Sequence, residues 1–85
     1  MVEGVLGFND KKDIIISNKM AQNILKILDT HDLEKLDRQN ELTFKTKQTQ
    51  FEEYEISTRY FVIISSYIEQ IQPDGRSGIV AIIRD

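Results

Sequence analysis

Eighty-five residues with 40% hydrophobic side chains, no cysteine and a formal charge of −3 describe a single small domain. At this length folding hides only about 60–65% of the surface that the unfolded chain exposes; with disulfides and thiolate metal sites excluded, a partner subunit is the expected supplement to a thin core. Eleven basic and fourteen acidic residues are interspersed instead of clustered, which argues against nucleic acid, and no apolar run approaches the ~20 residues that cross a bilayer.

The opening MVEGVLGFND lacks the basic start and long apolar run of a secretory signal, so the expectation is a soluble, intracellular protein. Val2 to Phe8 carries small or apolar residues on both faces, as a strand covered on two sides does. The polar turn NDKKD leads into Ile14, Ile15 and Ile16, a β-branched run, and the pair reads as a hairpin. Ser17 or Asn18 then caps a helix whose apolar stripe is Met20, Ala21, Ile24, Leu25 and Leu28. The phase changes after Leu28, and Leu33 and Leu36 fall on a new face, which predicts a bend or a second short helix capped near Thr30 to Asp32.

Beyond the polar stretch DRQNE the composition turns to β-formers. Leu42, Phe44 and Thr46 alternate with Thr43, Lys45 and Lys47, a pattern that predicts a half-buried strand over residues 42–47. Phe51 to Thr58 alternates again, with Tyr54 and Ile56 inward, and Tyr60 to Ile64 is apolar on both faces, as a central strand is. Pro73-Asp-Gly marks a turn, and Ile79 to Ile83 reads as a further strand or a docking segment. The elements sum to an α+β domain with a five-stranded antiparallel sheet and one long helix on one face.

No pattern marks a catalyst, a cofactor site or a metal site. The single histidine, His31, stands beside Asp29 and Asp32 and reads as a surface residue. Glu52, Glu53 and Glu55 lack calcium-loop spacing, and no glycine motif cradles phosphate, because Gly4 and Gly7 sit inside a strand and no helix follows Gly75 and Gly78.

VEGVLGFND, together with LDRQNELTFKTKQTQFEEYEISTRYFVIISS, resembles the roadblock family of dynein light chains, part of the roadblock/longin group. The resemblance covers about half the chain. It implies a roadblock-like domain over residues 1–72, sheet order 2-1-5-4-3 with residues 42–47 as the edge strand, and a turn and apolar tail over residues 73–85. Such domains pair edge to edge, so the implied interface is Leu42, Thr43, Phe44, Lys45 and Thr46 on the edge strand with Ile24, Leu25 and Leu28 on the helix. The implied function is that of a non-catalytic dimeric light chain, cytoplasmic and cytoskeletal or ciliary, that pairs with a second roadblock-like chain and binds a dynein intermediate chain in a microtubule motor. A roadblock-like scaffold or regulator of small GTPases is the alternative. Three features depart from the family, one of them a helix region shorter than expected. The family's leading helix is missing, since only Met1 precedes the first strand, and the IVAII tail has no counterpart, so the tail or a partner is expected to cover the bare face of the sheet.

Overall fold

The computed structural model describes residues 3–85; Val2, expected to open the first strand, lies outside the described residues. A hairpin of β1 (Gly4–Asn9) and β2 (Ile14–Ser17) is followed by α1 (Lys19–Ile27) and α2 (Thr30–Thr46). The chain then forms β3 (Gln50–Ile56), β4 (Arg59–Ile68) and β5 (Gly78–Arg84). All five strands join one antiparallel sheet in the order β2-β1-β5-β4-β3. The α+β architecture expected from the sequence is therefore present, but with two helices instead of one long one.

The hairpins are written in local chemistry. Ser57 and Thr58 both take positive φ, 51° and 65°, which lets a two-residue turn match the twist of β3 and β4. In the β1 to β2 turn the Asn9 carboxamide accepts from the amides of Lys11 and Asp13, and Lys12 takes the left-handed conformation. Asn18 caps α1 by accepting from Ala21 N at 3.0 Å. Its side chain also accepts from Val5 N and donates to the Glu3 carbonyl, so one carboxamide clamps the helix start to β1.

The predicted edge strand over residues 42–47 is instead the last turns of α2. Asp29 caps this helix, accepting from Asp32 N at 2.8 Å, and it runs seventeen residues before Lys47 closes it in the left-handed conformation. Its buried positions are Leu36, Gln39, Asn40 and Thr43, spaced by three and four, and three of the four are polar. Hydropathy therefore showed no helical stripe, while the accidental alternation of Leu42, Phe44 and Thr46 imitated a strand. Thr43 and Thr46 tolerate the helix because each hydroxyl donates to the carbonyl four residues back.

The order 2-1-5-4-3 thus attaches to other residues than expected. Gly78–Arg84, set apart in the sequence as a tail or a cover for the sheet, is the strand between β1 and β4, so those two strands are not neighbours. Leu6, Phe8, Phe61, Ile63, Ile79, Ala81 and Ile83 point toward the helices and form the core with Ala21, Ile24, Leu28 and Leu36. Tyr60 to Ile64, apolar on both faces, divides accordingly: Val62 and Ile64 lie half-buried on the face away from the helices with Val5, Val80 and Ile82, whereas Phe61 and Ile63 are sealed beneath the helices.

Close strand approach at β5 depends on Gly78. A Cβ there would stand 2.1 Å from the Phe8 carbonyl oxygen and 2.5 Å from Ile71 Cγ2. Gly78→Ala must therefore push two backbone segments apart, and a loss of about 3 kcal/mol is expected in urea unfolding. An unchanged midpoint would show that the central strands are looser than this spacing.

Candidate functional site

Two features flank α2 and share one residue. On one side, between α1, α2 and the β1 end of the sheet, lies a cavity of about 180 Å³. Its wall is apolar, formed by Phe8, Leu25, Leu36, Phe44 and Ile79, with Leu33 and Ile14 nearer the mouth. The mouth carries Asp10, Lys12, Asp37 and Glu41. Lys12 bridges the β1 to β2 turn to α2, standing 3.3 Å from Glu41 and 3.8 Å from Asp37. These are exposed groups, so the tie contributes no more than about 1 kcal/mol, but it fixes where the turn crosses the opening.

On the other side, α2 is fastened to β3 and β4 by a buried polar seam. Gln39 Nε2 donates to the Ile63 carbonyl at 2.8 Å and reaches the Gln50 carbonyl at 3.3 Å and Ser65 Oγ at 3.2 Å. Gln39 Oε1 accepts the Tyr54 hydroxyl at 2.7 Å, and Ser65 Oγ donates to Asn40 Oδ1 at 2.7 Å. Asn40 is therefore both the end of the seam and part of the cavity wall. Burial, followed by the nearby Glu52 and Asp32 carboxylates, pushes the Tyr54 phenol well above its ordinary value of 10.0, with Arg38 acting in the opposite direction. Lys35 sits 4.4 Å above the Tyr54 ring and donates to the Glu53 carbonyl, closing the seam from solvent.

The residues singled out from the sequence as an interface scatter across this arrangement. Thr43 is fully buried against the sheet, Phe44 lines the cavity and packs edge-on against Tyr67 with ring centroids 5.6 Å apart, and Leu42, Lys45 and Thr46 are exposed on α2. Ile24 and Leu28 are buried in the core, and Leu25 lines the cavity. No common strand edge joins them. His31 is exposed in the first turn of α2, and no group of three acidic or histidine side chains among the described residues could hold a metal. Gln39, Asn40 and Ser65 were missed. The available signal was the three-and-four spacing of Leu36, Gln39, Asn40 and Thr43, which a reading confined to apolar residues passes over.

No family model matches the chain. Over all 85 residues it is 49% identical to "Sensor protein SrrB" of Staphylococcus aureus strain MRSA252 and 48% identical to the protein of that name in strain NCTC 8325 / PS 47. The chain spans only 15% of the length of these relatives. Among solved structures, the PAS domain of histidine kinase ThkA superposes with a TM-score of 0.77 at 21% identity, covering 99% of this chain and 100% of that domain. A substituted form of that domain gives 0.76 at 22%. The fold is thus that of a PAS domain.

These matches correct the roadblock resemblance and what it implied. The LTFKT segment that carried it is helical, and the relatives are bacterial sensor proteins, not dynein light chains. A second roadblock-like chain, a dynein intermediate chain and a small-GTPase scaffold fall away as partners, and so does a cytoskeletal or ciliary location. Among the described residues no helix is long and apolar enough to cross a membrane.

The Tyr54 hydroxyl gives the seam a pH signature. Because the folded state holds this phenol protonated above its ordinary value, its contribution to stability is complete below pH 10.0 and is lost as pH climbs beyond it. Tyr54→Phe leaves Gln39 Oε1 without its donor and is expected to cost about 1 kcal/mol at neutral pH. Above pH 10 the variant should lose stability less steeply than the parent, so that urea unfolding curves converge. Parallel pH profiles would show that the phenol is not the group that resists ionisation.

Proposed function

We propose that this chain is a PAS-type sensory module of a sensor histidine kinase and that it reports whether a small molecule occupies the cavity between α2 and the sheet. The observation that carries this reading is Asn40, which lines the cavity and accepts from Ser65 in the seam that fastens α2 to β3 and β4. A molecule entering the cavity meets a wall already bonded to the far side of the sheet. Similarity of the chain to a segment making up 15% of a sensor protein, and the likeness to a histidine kinase's PAS domain, support the placement in signalling. In this reading the chain does no chemistry itself. It acts as an input, and filling the cavity alters autophosphorylation by the whole protein.

The apolar wall favours compounds of about one ring, since an apolar cavity of roughly 150 Å³ stays dry and accepts benzene. A ligand at a hundred times its dissociation constant should stabilise the domain by about 2.7 kcal/mol. A panel of single-ring compounds, followed by amide NMR and thermal unfolding, tests the reading. Binders should perturb Leu36 and Phe44 in the wall and also Ser65 and Tyr54 across the seam. Leu33→Trp, which places a large ring at the half-exposed mouth, should abolish both effects. Absence of any binder, or perturbations confined to the wall, would overturn the proposal.

A further inference from the structure

The orientation of one buried amide narrows what the cavity can hold. Gln39 Nε2 faces two backbone carbonyls, those of Ile63 and Gln50, and a carbonyl can only accept. That fixes which end of the Gln39 amide is which, and Oε1 duly takes the Tyr54 hydroxyl proton. Nε2 also lies 3.2 Å from Ser65 Oγ, where the serine must accept. The serine's own proton goes to Asn40 Oδ1, at 2.7 Å. The amide nitrogen of Asn40 is left as the end available to the cavity.

Asn40 is 6% exposed, yet its Nδ2 donates to no group among the described residues. Nor is it sealed in the interior, because among the described residues the one fully sealed side-chain polar atom without a partner is Gln72 Oε1. Among the lining residues Asn40 is the buried polar one; Asp10, Lys12, Asp37 and Glu41 stand exposed at the mouth. With no acceptor from the protein, Nδ2 at this apolar wall is left to water, and a ligand oxygen that reaches it takes that water's place.

Building on the ligand-sensing reading, we infer that the cavity takes a neutral molecule of about one ring bearing a carbonyl-type oxygen, which accepts from Asn40 Nδ2 while its apolar body fills the space between Phe8, Leu36, Phe44 and Ile79. Neutrality follows from the surroundings. Three carboxylates against one lysine at the mouth repel an anion, and the interior offers no carboxylate to pair with a cation. Size follows from the 180 Å³ of space.

Acetophenone and α-methylstyrene share a shape and differ in C=O against C=CH2, so they test the donor directly. Dissociation constants for both are measured by NMR titration on the wild-type chain and on Asn40→Leu. The ketone-to-alkene preference should fall about tenfold in the variant, the worth of one buried hydrogen bond. In the wild type, the Asn40 side-chain amide protons should move downfield with the ketone and not with the alkene, a readout that needs no substitution. Ser65→Ala provides a second variant: it retains Asn40 but releases its amide to turn, and should reduce the preference several-fold. An equal preference in all three proteins, with both compounds bound, would overturn the Asn40 inference and leave the sensing reading standing. If neither compound nor any other single-ring molecule binds the wild type, both are overturned.

Discussion

The position of α2 on the sheet is set by hydrogen-bond geometry more than by apolar area. Four of its side chains are buried and only Leu36 among them is apolar. What holds the helix is the Gln39 amide, inserted between two strands so that it satisfies the Ile63 carbonyl, the Tyr54 hydroxyl and Ser65 at once. Apolar surfaces can slide past one another with little change in energy, but these contacts are met at one placement. Moving the helix by even an ångström would leave several buried polar groups unpaired, each costing about 1–3 kcal/mol. The seam therefore gives α2 a discrete position, which is the property a switching element needs.

The shorter helix is held differently. Its stripe of Ala21, Ile24 and Leu28 is buried on the sheet, and the Asn18 carboxamide that caps its first turn at Ala21 also bonds Val5 of β1 and the Glu3 carbonyl just before it. Hairpin and α1 thus stand on one side of β5 and α2 with β3 and β4 on the other, joined by β5 itself and, at the surface, by Lys12 with Asp37 and Glu41. The cavity falls between them, lined from both sides and by Ile79 of β5. Asn40 belongs to the α2 side and faces the gap.

Where side-chain chemistry was local, the sequence was legible. The first hairpin, the Asn18 cap, the stripe of α1, the break near Asp29 and the inward Tyr54 and Ile56 all follow from turn residues, caps and alternation, and each is present. The failure lies at residues 42–47, where Thr and Phe favour a strand in isolation and the helix wins through the tertiary bonds of Gln39 and Asn40 and the burial of Thr43 against the sheet. Once that segment was read as a strand, the numbering of every later strand slipped, and Gly78–Arg84 became a spare tail instead of the middle of the sheet. The site was invisible for the same reason. A chamber beside a helix cannot be seen while the helix is taken for a strand, and polar residues at core spacing look like a solvated surface.

The cavity itself bears on stability. Unfilled space in a core costs about 24 cal/mol per Å³, which for 180 Å³ gives an upper figure of about 4 kcal/mol, upper because the mouth is open to water. A small domain typically has a total stability of only about 5–15 kcal/mol. Collapse of α2 onto Phe8 and Ile79 would recover part of that cost, but it would stretch the bonds that Gln39 and Asn40 make to β4, and those bonds are worth as much or more. The chamber thus keeps its shape because the seam holds α2 in place. An occupant then gains the contacts that the protein could not make for itself, and its binding free energy appears directly as added stability of the folded state. Occupancy and the rigidity of α2 on the sheet are linked through one side chain, and in a chain with so thin an interior that link is a large fraction of the whole.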